Sequence, residues 1–474
     1  MAFHHRALAT LIASLCTGLA GAAPIAQNWL TTADQQALLT PGAPLAFVAG
    51  APALPLHIEV DPAQRFQTMV GFGAAITDSS AWVIQHTMQP AQRATLMNEL
   101  FGHGPNGLGF EFTRLTIGAS DFSLKHYSLD DVPKGQTDMK LAAFSLAPVR
   151  EDVVPVVRQA LAVNPELKVM ASPWSAPAWM KTNGRPYRGE LKPAMYEVFS
   201  RYLLKYVEAM QAEGVPIFAL TLQNEPHFEP DNYPGMRMDP AARAAVAGKY
   251  LGPLLAAKAP RTQVFDWDHN WDHPEEPLGV LADAGARRYI SSVAWHCYDG
   301  TPDAQTPVHA AYPDKDVWLT ECSGGEWMAQ WEVVLPWIMH NLVIGATQNG
   351  ARGVLMWNLA LDENHGPHTG GCSDCRGIVT IDSRSGAVTR NVEYYALGHA
   401  SRFVRQGAQR IATSPSGNKE LESVAFRNPD GSIALIVSNG GATAQAFSVG
   451  SAGAALRYEL PPRSVVTLSW TPEQ

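Results

Sequence analysis

The chain has 474 residues, 46% of them hydrophobic, and a formal net charge of -9. That length suits one large domain plus a smaller one. The acidic balance, with no Lys/Arg cluster against it, excludes a nucleic-acid-binding surface.

Residues 1–22 read as a secretory signal peptide. His4, His5 and Arg6 precede a mostly apolar run too short to span a bilayer, and Ala20, Gly21 and Ala22 offer a small-residue cleavage site. No later segment has an apolar run of transmembrane length. The expectation is an exported protein, periplasmic or extracellular, without a transmembrane segment. Cys16 leaves with the signal, while Cys297, Cys322, Cys372 and Cys375 remain. Cys372 and Cys375 form a C-x-x-C in GGCSDCRG, with no second pair at zinc spacing. A small loop disulfide is expected there, with a redox motif as the alternative.

Residues 23–65 are Pro- and Ala-rich, with no long helix. Leu54, Leu56, Ile58 and Val60 alternate with other residues, which reads as a half-exposed strand that joins the C-terminal domain. Over 66–395 the pattern changes. Apolar runs recur between helical segments at 69–75, 110–117, 167–171, 217–222, 264–267, 290–295, 317–319 and 354–357. Met195, Val198, Phe199, Tyr202, Leu203, Tyr206 and Met210 fall three and four apart, a helix ended by Gly214. Strands alternating with helices in this number predict an α/β fold, a (β/α)8 TIM barrel. Over 396–474 short apolar stretches flank Asn428-Pro429-Asp430-Gly431, a hairpin signal. This end is expected to be an appended antiparallel β-sandwich domain.

Barrel strands present their C-terminal ends to the active site. Here those ends carry Thr77-Asp78, Ser120-Asp121-Phe122, Pro173-Trp174-Ser175, Asn224-Glu225, Asp266 to Asn270, His296 with Tyr298, Glu321, and Trp357-Asn358. Glu225 and Glu321 follow the fourth and seventh strands, where they can face each other across the barrel mouth. Glycoside cleavage needs such a pair: an acid for the leaving oxygen and a carboxylate on the other face of the sugar. Two inward carboxylates are expected to raise each other's pKa. Trp174 and Trp357 read as sugar platforms, with core packing as the alternative. Asp78 has a second reading as a helix N-cap, and His296 and Tyr298 as packing residues of strand six. His365 and His368 with Asp374 match no standard metal-ligand spacing.

The segments GFGAAITDSSAW, RLTIGASDFS, ASPWSAPAWMKTNG, LTLQNEP, AWHCYDG, WLTECSGG and MWNLALDENHGPHTGGC resemble glycoside hydrolase family 30, which includes the glucosylceramidases. The resemblance implies a barrel fused to a β-sandwich-like domain, retaining chemistry, and neither a metal nor an organic cofactor. It implies Glu225 as acid/base and Glu321 as nucleophile. Asp78, Trp174, Asn224 and Trp357 match its sugar-binding positions, and His296 and Tyr298 match residues near the nucleophile. The expected activity is hydrolysis of β-glucosides, with a carbohydrate or glycolipid substrate of the glucosylceramidase type. The alternatives are an endo-β-1,6-glucanase and a non-catalytic carbohydrate-binding protein. The loop HGPHTGGCSDCRG departs from the animal enzymes at the rim, where the leaving group would sit.

Overall fold

The computed structural model describes residues 24–472; the expected signal segment, Cys16 included, lies outside them. Eight parallel strands close into a barrel: Gly71–Ala75, Phe112–Ile117, Lys168–Pro173, Ile217–Thr221, Gln263–Asn270, Ile290–His296, Asp316–Glu321 and Ala351–Asn358. Each coincides with one of the apolar runs. These strands are covered on both faces, so nearly every residue is apolar or small and no alternation is visible. The helix Tyr196–Ala212 packs outside with Val198, Phe199, Tyr202, Leu203, Tyr206 and Met210 buried.

The barrel interior is layered. Phe112, Met170, Ala219, Phe265, Trp318 and Leu355 fill its floor, with Phe265 stacked on Trp318 at 5.1 Å. Residues two positions further along a strand point the same way, one layer up. There the side chains turn polar: Arg114 follows Phe112, Ser172 follows Met170, Thr221 follows Ala219, and Thr320 follows Trp318. The apolar floor thus carries a buried charged layer, and the cleft opens above it.

A second, largely antiparallel sheet system holds the C-terminal strands Gln409–Thr413, Leu421–Arg427, Ile433–Asn439, Gln445–Ser451, Ala454–Leu460 and Ser464–Trp470. Two strands from before the barrel complete it. Ile25–Thr32 pairs with Ser464–Trp470, and His57–Thr68 lies between Gln409–Thr413 and Gln445–Ser451. The latter strand begins at His57, so Leu54 and Leu56 precede it, and it runs on to Thr68. The helix Val392–Ser401 crosses the expected boundary at 395.

That helix also docks the two units. His399, fully buried, hydrogen-bonds Thr31 Oγ1 at 2.8 Å and Thr467 Oγ1 at 2.9 Å. Burial holds its imidazole down at about 3. An unfolded His takes up its proton near pH 6.5. Stability that His399 contributes is therefore complete above about pH 6.5 and is lost as pH falls toward 3, by about 1.4 kcal/mol per unit. Melting wild type and His399→Gln at pH 7 and pH 5 tests this. The acid-induced drop should be smaller in the variant, and equal drops would remove His399 from the account.

Candidate active site

The cleft at the C-terminal barrel mouth has a volume of about 530 Å3. Glu225, Glu321, Tyr298, Trp357, Cys372 and Cys375 line it together with Asp121, Tyr233, His269, Asn270, Phe228 and Trp327. A larger surface cavity of about 990 Å3 near Trp29 and Tyr394 has no comparable carboxylate pair, so size does not identify the site here.

Asp268 organises the layer below the cleft. Its Oδ2 accepts from Arg114 at 2.7 Å, Ser172 at 2.6 Å and Thr221 at 2.8 Å. Its Oδ1 accepts from Thr320 at 2.7 Å and His296 Nε2 at 3.0 Å. Burial alone would raise this carboxyl; Arg114, His296 and Ser172 outweigh it and hold Asp268 far below the usual carboxylate range. Asp268 is therefore ionised and only accepts, which requires a proton on His296 Nε2.

Arg114 extends the network upward. It donates to Glu321 Oε2 through one terminal nitrogen and to Asn224 Oδ1 at 2.7 Å through the other. Tyr298 donates to Glu321 Oε1 at 2.9 Å. His296 Nδ1 lies 3.1 Å from Glu225 Oε1 and 4.0 Å from Glu321 Oε1, so one imidazole edge faces both glutamates. Asn224 and Glu225 are fixed by backbone contacts as well: Asn224 N–H donates to Pro173 O at 2.8 Å and Glu225 N–H to Asp268 O at 3.0 Å. Glu225, Trp267 and Asp268 adopt φ of 45°, 75° and 57°. This left-handed region is costly for residues with a Cβ, on the order of 1–3 kcal/mol each, and is held by the surrounding bonds.

The two glutamates do not simply raise each other. Burial raises Glu321, Glu225 and Asp268 add to it, and His296 and Arg114 pull it back only in part. Burial also raises Glu225, but the His296 hydrogen bond, with His269 and Arg114, brings it below its ordinary value. His296 accordingly rises to about 9: burial opposes this, and Glu321, Asp268 and Glu225 outweigh burial. The Glu225–His296 pair thus holds a proton between them. Both oxygens of Glu321 accept from strong donors, which is the bonding of a carboxylate.

Trp174 is buried and stacks on Trp357, ring centroids 5.0 Å apart and 20° between planes, with Arg114 beneath at 4.7 Å from the Trp174 centroid. Trp357 faces the cleft and Trp174 backs it. Thr77, not Asp78, caps the helix Asp78–Thr87. The buried Asp78 carboxylate accepts from Tyr127 through Oδ2 at 2.8 Å, and its Oδ1 has no partner among the described residues. The acidic rim residue is Asp121, pushed up to about 8 by burial and by Glu321 and Glu225.

Asp268 stands in the strand-end run Asp266 to Asn270, where position alone gives it no role, and Arg114 is a lone charge in the strand FTRLTI that the motif reading does not single out. Trp327, on a loop after strand seven, had no distinguishing signal. Cys372 is bonded to Cys375, and Cys297 to Cys322. The second bond joins the residues directly after His296 and Glu321. Closing its 25-residue span restricts the unfolded chain by about 3.5 kcal/mol on loop entropy. Gly371, at φ 67°, brings the C-x-x-C loop against Asp121, where an added Cβ would sit 2.3 Å from the Asp121 Cβ.

Paired carboxylates under aromatic walls at the mouth of such a barrel define a glycosidase-type site. The chain belongs to glycoside hydrolase family 30: the model of its TIM-barrel domain matches residues 69–404 and that of its beta sandwich domain matches 407–468. An endo-1,6-beta-D-glucanase of Neurospora crassa is 34% identical over 447 residues, covering 90% of both chains. The lysosomal acid glucosylceramidase of Mus musculus is 29% identical, covering 81% of this chain and 77% of its own. The solved endo-beta1,6-glucanase BT3312 superposes with a TM-score of 0.87 at 32% identity, covering 94% of this chain and 99% of its own. No described helix is long and apolar enough to cross a membrane.

Proposed function

We propose that this chain is an exported β-1,6-glucanase that cleaves within its polymer and retains the anomeric configuration. The observation that carries this reading is the cleft beyond the glutamates. Trp327, Phe228 and Tyr298 are 54%, 47% and 44% exposed there. Asn232 and Asn270 lie among them. Aromatic faces mixed with amides suit the flat faces and hydroxyls of further sugar units. A ceramide chain would call for a continuous apolar surface. The greater identity to the fungal glucanase than to the glucosylceramidase supports the same choice over the glycolipid substrate expected first. Two disulfides support export.

Glu321 attacks the anomeric carbon. Glu225 protonates the departing oxygen, drawing on the proton it shares with His296, and then accepts a proton from the attacking water. A retaining pair needs carboxyl groups about 5–5.5 Å apart. One oxygen of each lies 3.1 Å and 4.0 Å from the same His296 nitrogen, so both carboxyl groups face one edge of that imidazole. In this reading Asn224, oriented by Arg114, bonds the sugar 2-hydroxyl, and Asp121 a further hydroxyl.

Product analysis on β-1,6-glucan, an aryl β-glucoside and glucosylceramide in parallel tests the reading. Oligosaccharides of mixed length should appear first from the glucan. Glucose alone from all three substrates would favour an exo-acting glucosidase, and cleavage of glucosylceramide alone would refute the glucanase.

A further inference from the structure

Beyond helping to lower Glu225, His269 has no task in hydrolysis as described. It is 8% exposed and its Nδ1 has no hydrogen-bond partner among the described residues. Leaving a buried polar atom unpaired costs about 1–3 kcal/mol. His269 lines the cleft, and this nitrogen lies 3.8 Å from Glu225 Oε1. His296 Nδ1 lies 3.1 Å from the same oxygen, and the three atoms are all within 4.8 Å of one another.

We propose that Glu225, His269 and His296 form a binding site for a divalent transition-metal ion of the zinc type, which inhibits the enzyme. Zinc bonds of about 2.0–2.2 Å in a tetrahedron hold ligand atoms about 3.3–3.5 Å apart. Shifts of under about 1 Å bring these three atoms to that spacing. His296 is already oriented for it: Asp268 accepts its Nε2 proton at 3.0 Å, as outer carboxylates do for metal-binding imidazoles. The ion replaces the proton between His296 Nδ1 and Glu225, and that proton goes to solvent. Glu225, Glu321 and Asp268 outnumber Arg114, so the local charge favours a cation. A site of two imidazoles and one carboxylate selects zinc, copper or nickel over magnesium and calcium, which prefer oxygen ligands. The fourth position opens to the cleft. The ion is no cofactor, since it occupies the oxygen that Glu225 must use; its inhibitory effect rests on the acid/base reading, whereas its binding does not.

Calorimetric titration of the whole protein with ZnCl2, without substrate, tests binding separately from hydrolysis. Cys297, Cys322, Cys372 and Cys375 are in disulfides and offer no thiolate. Wild type should bind one ion that EDTA removes. His269→Ala, shown folded by circular dichroism, should bind about tenfold or more weakly, and MgCl2 should give no comparable heat. Zinc should slow glucan hydrolysis by wild type, with a half-inhibitory concentration raised about tenfold in His269→Ala. Equal zinc affinity in the two proteins, or equal response to magnesium, overturns the site. Binding that depends on His269 yet leaves hydrolysis untouched supports the site and overturns the acid/base role of Glu225.

Discussion

Glu321→Gln should lower kcat on β-1,6-glucan by roughly 10⁴-fold or more while the polymer still binds. The amide keeps the shape of the carboxylate but supplies no anionic oxygen to form the glycosyl–enzyme bond. It also disturbs the pocket's own logic, because Arg114 and Tyr298 both donate to this side chain. The shortened Glu321→Ala variant separates chemistry from packing. Azide can enter the space left by the carboxylate and attack the anomeric carbon directly, yielding a glycosyl azide of inverted configuration from an activated aryl glucoside. In Glu225→Ala the same anion should intercept the glycosyl enzyme and yield the retained configuration. Wild-type turnover by Glu321→Gln would overturn the nucleophile, and exchanged stereochemistry would reverse the two roles.

The barrel was legible because a strand buried on both faces leaves an uninterrupted apolar run, and each run stops where its strand meets the cleft. Glu225 and Glu321 were legible for the same reason: they are the first acidic groups after such runs. Asp78 and Asp121 both follow strand ends, but the turn after each strand differs. Thr77 starts a helix at once, whereas Gly118 at φ 80° turns the chain before Asp121 and sends that carboxylate over the cleft. His269 lies in the strand-end run Asp266 to Asn270, but its direction is not legible there. Two successive left-handed residues, Trp267 and Asp268, redirect the strand end, and neither is a glycine that would have signalled it. The bond between Cys297 and Cys322 needed spatial proximity that sequence does not contain, although each cysteine directly follows a site residue.

Arg114→Met should be the most damaging change below the cleft, because this one cation serves three acceptors. It pairs with Asp268 and Glu321 and positions Asn224, all out of water. Methionine fills much of the volume but takes the cation from two buried carboxylates, which keep only His296, Tyr298 and hydroxyl donors, a loss of about 3–5 kcal/mol for a broken buried pair. The effect on pH follows from the sign of the same contacts. Arg114 pulls both Asp268 and Glu321 down against burial. Asp268, held below its unfolded value of about 3.9, stabilises the fold above that pH, and the contribution is lost as pH falls through its folded value. Without Arg114 that loss should begin at higher pH, seen as a steeper fall of the thermal midpoint on acidification. Glu321 should also ionise later, so the acid limb of kcat/KM moves to higher pH. Arg114→Lys retains a charge without the planar fork, and should recover part of the stability and of the acid limb but less of kcat, since one ammonium cannot hold Glu321, Asp268 and Asn224 at once. An unchanged acid limb in Arg114→Met would mean that Glu321 owes its ionisation to His296 and Tyr298 instead.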